Sequence, residues 1–90
     1  MHERKLKELL EQEVKKVART KSFEEWMSVK DPITYECGLS KDWYQVEVQI
    51  LERNSSSIHI SVSVDDSSFL RSIFPLSRSF IVYSDGKVDI

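Results

Sequence analysis

Glycine and proline are scarce in this chain, with two of each in 90 residues. The glycines, Gly38 and Gly86, stand far apart. A loop that cradles phosphate needs several glycines within a few positions, so P-loop and dinucleotide sites are excluded. Cysteine occurs once, as Cys37. That rules out an intramolecular disulfide and favours a reducing, cytoplasmic setting. Metal-ligand spacing is missing too. There is no CxxC or HxxxH, and His2, His59 and Cys37 are the candidate soft or borderline ligands. No metal or other cofactor is expected. Apolar runs reach a few residues at most, so no membrane span is expected. The opening MHERKLKELLEQEVKK has no apolar core of a secretory signal.

Present instead are 40% apolar and 31% charged residues, the balance of one small globular domain over residues 1–90. The net charge of −2 is unevenly spread. Residues 1–21 hold seven Lys/Arg against four Glu, giving +3, while residues 22–90 hold six against eleven acids, giving −5.

Leu6, Leu9, Leu10, Val14, Val17 and Ala18 recur at helical spacing, which predicts a helix from Glu3 to Thr20. The stretch 22-SFEE-25 has the form of a capping box and starts a second short helix that ends before 31-DP-32. A single longer, bent helix is the alternative.

From Pro32 the period changes to two. Ile33, Tyr35, Cys37 and Leu39 alternate with polar residues, as do Tyr44, Val46, Val48 and Ile50, and then Ile58, Ile60, Val62 and Val64. These are half-buried antiparallel strands. A one-residue slip turns a strand inside out, so parity restricts the pairing. A tight turn at Lys41-Asp42 pairs Leu39 with Tyr44 and Ile33 with Ile50; Lys-Asp is a poor two-residue turn, so a bulge near Gly38 is the alternative. A loop over 53-RNSSS-57 pairs Glu52 with Ile58, Ile50 with Ile60 and Val46 with Val64. Asp85-Gly86 is a hairpin signal and pairs Tyr83 with Val88. It puts Ile81, Tyr83, Val88 and Ile90 on one face, with Phe80 and Val82 on the other. The fold class is α+β, one or two N-terminal helices packed on a four- to five-stranded antiparallel sheet. This arrangement is similar in general layout to cystatin-like and related small folds, a likeness that leaves function open.

Catalytic constellations are thin. His59 and Ser61 are two apart on one strand, too far for a direct hydrogen bond, and there is no G-x-S-x-G elbow. Glu47, His59 and Asp65 could line one sheet face as a weak acid–base site, but Asp65-Asp66-Ser67 reads better as the cap of a following helix. The basic residues of the first helix are interleaved with Glu8, Glu11 and Glu13, a solvated face rather than a phosphate-binding one. Association remains. The polar sheet face carries Trp43, Gln45, Glu47, Gln49, Leu51, His59, Ser61 and Ser63, poor in lysine and rich in amides and hydroxyls, with Phe80 and Val82 as its candidate extension.

The expectation is therefore a non-enzymatic protein-binding domain of inhibitor, immunity or accessory-subunit type, with the acidic body as contact surface, homodimeric through its sheet. Two alternatives stand beside it. One is a small-molecule or weakly catalytic pocket between helix and sheet, walled by Trp26, Met27, Tyr35 and Phe69. The other is nucleic-acid binding through the basic helix. In 65-DDSSFLRSIFPLSRS-79, Phe69, Leu70, Ile73 and Phe74 have the spacing of a helical stripe that ends at Pro75, a one- to two-turn helix or a tight loop that plugs the core, with Arg71 and Arg78 outside. Candidate contact residues are Trp43, His59, Phe69, Leu70, Arg71, Phe74 and Arg78.

Overall fold

A computed structural model of the chain describes residues 3–30, 32–38, 42–66 and 76–90. The elements run α1 (Glu3–Ala18), α2 (Phe23–Ser28), β1 (Ile33–Cys37), β2 (Tyr44–Arg53), β3 (Ser57–Asp65), β4 (Leu76–Tyr83) and β5 (Val88–Asp89). Among the described residues the strands form one antiparallel meander in the order β1-β2-β3-β4-β5. The fold is α+β, with α1 laid across one face of the sheet, mainly on β4 and β3.

There are two helices. α1 buries Leu6, Leu10, Val14, Val17 and Ala18, a stripe at helical spacing. It ends at Ala18, and Thr20 closes it by donating from N and Oγ1 to the Val17 carbonyl at 3.0 and 2.7 Å. α2 begins with both arms of the capping box. Glu25 N–H donates to Ser22 Oγ at 3.2 Å, and Ser22 N–H donates to Glu25 Oε1 at 3.0 Å. That backbone N–H at Ser22 is the main reason the Glu25 carboxyl titrates below its ordinary range. Trp26, fully buried, brings α2 onto the core edge-on to Phe80, with ring centroids 6.0 Å apart.

The parity expected for the first two strands holds, but their register lies two residues away. Ile33 pairs with Val48, Tyr35 with Val46 and Cys37 with Tyr44. Gly38 is the reason. It stands at φ +77°, the left-handed region, and ends β1 at Cys37. A Cβ there would come within 2.2 Å of the Asp42 carbonyl oxygen. The Asp42 backbone thus lies close against Gly38, and Lys41, with the turn expected there, lies outside the described residues.

β2 and β3 pair as expected from Val46–Val64 to Ile50–Ile60. A bulge at Leu51 then adds one residue, so Glu52 faces His59, not Ile58, and Arg53 lies beside Ile58. The extra residue reverses parity and sends Arg53 to the helix side. There its guanidinium donates to the carbonyls of Trp26 at 3.3 Å, Met27 at 2.8 Å and Val29, the open end of α2. Asn54 fixes the turn that follows, its Oδ1 accepting from the N–H groups of Ser56 and Ser57 at 2.9 Å each.

The faces of β4 are the reverse of the expectation. Phe80 and Val82 are buried, lying opposite Ile60 and Ile58, and do not join the polar face. Ile81 and Tyr83 take that face instead, opposite His59 and Ser57. Four consecutive large apolar residues, Phe80 to Tyr83, carry no alternation to read, so pairing with β3 decides. The last hairpin also slips by one, pairing Val82 with Val88 and Ile81 with Asp89. Its loop has three residues: Gly86 N–H donates to the Tyr83 carbonyl at 2.9 Å, and Gly86 sits at φ +93°. Phe69, Leu70, Arg71, Ile73, Phe74 and the helical plug expected from them lie outside the described residues, as does His2. The core itself is α1, α2 and the inner residues Val46, Val48, Ile58, Ile60, Val62, Val64, Phe80 and Val82.

The two glycines separate strain from steric overlap. Both have positive φ, but nothing lies within 4 Å of a Cβ added at Gly86. Gly86→Ala is expected to cost about 1 kcal/mol from the left-handed backbone alone, and Gly38→Ala about 2–3 kcal/mol or more. Urea denaturation of both variants checks the difference.

Candidate functional site

α1 and α2 cover one face of the sheet, and no described element covers the other. The strands place Thr34 and Glu36 of β1, Gln45, Glu47 and Gln49 of β2, and Asp89 of β5 on this open face. β3 contributes His59, Ser61, Ser63 and Asp65, and β4 contributes Ser77, Ser79, Ile81 and Tyr83. Two serine pairs, Ser61–Ser79 and Ser63–Ser77, lie side by side at its centre. Their small side chains leave a shallow floor, with Ile81, Tyr83 and His59, all half-buried, at one end. At the other end Gln45, Glu47, Ser63 and Asp65 line a recess of about 110 Å³.

The electrostatics of this face are one-sided. Glu36, Glu47, Asp65 and Asp89 stand on it, and within the described strands no lysine or arginine does. The two arginines of β2 and β4 point to the helix layer. Arg53 caps α2, and Arg78, opposite Val62, pairs with Glu11 of α1. The outer surface of α1 carries Lys7, Lys15, Lys16 and Arg19, all exposed. The charge asymmetry of the sequence is thus an asymmetry between the two layers of the fold.

The candidate contact residues fall in different places. His59 is on the open face, and Trp43, half-buried, lies just before β2. Arg78 is half-exposed and forms an ion pair with Glu11 on the helix side. Phe69, Leu70, Arg71 and Phe74 lie outside the described residues. Glu47 does lie beside Ser63. His59, four residues from Ser63 along β3, is roughly 13 Å away by strand rise, so His59, Glu47 and Asp65 share a face without forming an acid–base pair. Among the described residues, no group of three His, Cys, Asp or Glu side chains could hold a metal ion, and no helix is long and apolar enough to cross a membrane. Of the expected pocket walls, Trp26 and Tyr35 share a small pocket with Val17, Ile33 and Val48, while Met27 is exposed.

Sequence reasoning missed a second cluster. Glu13 is buried to 6% exposure, the one charged side chain buried among the described residues. Its Oε2 accepts from the Tyr35 hydroxyl at 2.5 Å, and its Oε1 accepts from the Tyr44 hydroxyl at 3.2 Å and from Cys37 Sγ at 4.0 Å. Both carboxylate oxygens are thereby satisfied, which is what allows the burial. The signal was available. Leu6, Leu10, Glu13 and Val17 are spaced four, three and four apart, so Glu13 occupies a core position of the helix stripe. The three donors alternate on β1 or face it across the sheet, so one register delivers them together. The arrangement is a buried staple between α1 and the β1–β2 edge, not a reactive centre. Burial first, then Glu13, holds the Tyr35 hydroxyl protonated above the usual tyrosine range. Burial, then Cys37 and Glu13, does the same to Tyr44.

No protein-family model, no curated protein and no solved structure matches the chain.

The staple has a pH signature. A tyrosine ionises near pH 10 in an unfolded chain, whereas Tyr35 and Tyr44 keep their protons to higher pH in the fold. Their contribution is therefore full below about pH 10 and is lost as pH rises past it towards their folded values. Thermal melts across the alkaline range are expected to show the midpoint falling from that pH upward. Glu13→Ala is expected to lower stability by about 2–3 kcal/mol by leaving the Tyr44 hydroxyl buried without its acceptor.

Proposed function

We propose that the protein is a non-enzymatic binding domain whose open sheet face docks a basic surface of another protein, as an inhibitor, immunity protein or accessory subunit would. One observation carries this reading: the uncovered face gathers Glu36, Glu47, Asp65 and Asp89 around a floor of serines, with no cation on it among the described strand residues. Strands of five, ten, nine, eight and two residues, spaced about 4.8 Å apart, present roughly 540 Å², about two thirds of the roughly 800 Å² per partner of a standard interface. Small central side chains admit a protruding partner, and half-buried Ile81 and Tyr83 supply apolar contact beside them. A rim of acids favours a basic partner by speeding encounter and disfavouring like-charged competitors.

A second copy of this chain fits the face less well. Two sheets packed face to face set Glu36, Glu47 and Asp89 of one copy near those of the other, and like charges brought together at an interface are costly. The nucleic-acid reading has its support on the other layer. There Lys7, Lys15, Lys16 and Arg19 are exposed, but Glu8 and Glu24 stand exposed among them, which weakens the field that phosphate binding needs.

Two measurements test the proposal. In light scattering at micromolar concentration the isolated protein is expected at its monomer mass of 10.5 kDa. A doubled mass that Glu47→Arg abolishes would assign the face to a second copy instead. Affinity capture from the native cells, done in parallel with wild type, with Glu36→Lys/Glu47→Lys and with Lys7→Glu/Lys15→Glu, is expected to retain a basic protein. Only the sheet-face variant should lose it, and retention by that variant would count against the proposal.

A further inference from the structure

A pocket of about 160 Å³ opens on the helix layer, away from the acidic face, between the end of α1, α2 and the β1–β2 edge. Val17, Trp26, Ile33, Tyr35 and Val48 wall it, and Thr20 and Lys21 stand with them. An apolar cavity of about 150 Å³ is large enough to take a benzene ring. This one is therefore too small for a nucleotide or cofactor but suits one aromatic ring or a branched chain of five or six carbons.

Two further features give the pocket a ligand chemistry. The first is positive charge held over the walls, with Lys21 also near enough to Glu25 to help lower its carboxyl's titration. Lys21 Nζ lies 5.6 Å from the Trp26 ring centroid, and Lys16 Nζ lies 5.8 Å from that of Tyr35, so a cation stands over each of the two aromatic walls. Neither lysine has a carboxylate within ion-pair distance among the described residues. The second is a missing acceptor. Trp26 is fully buried, and its indole N–H has no hydrogen-bond partner, the one such buried side-chain atom among the described residues. Buried donors are ordinarily paired, which makes this indole N–H an exception and a distinct reporter on one wall of the pocket.

We infer that this pocket binds a small aromatic or branched-chain carboxylic acid, its apolar body against Val17, Trp26, Ile33 and Val48 and its carboxylate between Lys16 and Lys21. The ligand is held and released without covalent change. Its anionic head separates it from neutral molecules of the same shape, and the lysines supply that selectivity from the rim.

The test is a titration of ¹⁵N-labelled protein with benzoate at constant ionic strength, read at the indole N–H resonance of Trp26, with Trp43 as the internal control. Benzoate is expected to shift the Trp26 resonance saturably, with a dissociation constant of about 1 mM or tighter for a ligand of this size. Benzamide, neutral and of the same shape, should bind roughly tenfold more weakly, and Lys16→Gln/Lys21→Gln should remove that preference. Lys16 is exposed and Lys21 half-buried, and an unchanged amide spectrum verifies that the double variant keeps the fold. No saturable shift at Trp26, or equal binding of benzoate and benzamide to wild type, overturns the inference.

Discussion

The molecule depends on a sheet with one helical layer. α1 and α2 seal the inner residues of β2, β3 and β4, and the same alternation that fills this core delivers every second residue of those strands to the opposite face. The two faces are thus one pattern read twice. Val62 cannot be buried without Ser61 and Ser63 being turned outward, and the composition of the outward row becomes a property of the surface. That row is small and acidic, whereas the exposed side of α1 is basic. A two-layer protein built this way is electrically polar across its thickness, which the small net charge of the whole chain hides.

Two local devices keep the layers apart in chemistry. The bulge at Leu51 reverses the parity of β2 at the point where Arg53 would otherwise reach the acidic face, and the guanidinium goes to the carbonyl end of α2 instead. Arg78 of β4 is held on the helix side by Glu11. Both cations of the strands are in this way used to bind helix to sheet, and the described strands put no lysine or arginine on the open face. At the β1 edge, where the helix stripe meets tyrosines rather than aliphatic residues, Glu13 performs the joining, with Tyr35, Tyr44 and Cys37 as its donors.

Much of this was legible in the chain. Helical spacing located α1, the capping box located α2, and parity alone assigned the inner and outer residues of β1, β2 and β3. What escaped did so for physical reasons. The bulge at Leu51 answers to the end of α2, a contact 24 to 27 residues away in sequence. The faces of β4 could not be read from four apolar residues in succession. The β1–β2 register lies two residues from the tight-turn expectation, and Gly38, the site weighed for a bulge, stands at positive φ directly after β1. Glu13 was passed over because a charged residue on a charged helix reads as solvated, and its burial shows only once Tyr35 and Tyr44 are seen opposite it. Of the proposed contact residues, His59 was placed correctly away from the buried row, whereas Arg78 was not foreseen as the partner of a helix glutamate.

The claim beneath both functional readings is that Ser61 and Val62, neighbours in β3, face different worlds: one an uncovered surface, the other a sealed core. Denaturant unfolding of Ser61→Arg and Val62→Arg measures this most directly. Ser61→Arg should unfold within about 0.5–1 kcal/mol of wild type, as surface substitutions do, and Val62→Arg should lose about 4 kcal/mol or more, or fail to fold, because it forces a charge into an apolar layer. A Ser61→Arg protein as damaged as Val62→Arg would mean that the serine row is itself covered, and the open acidic face would not exist.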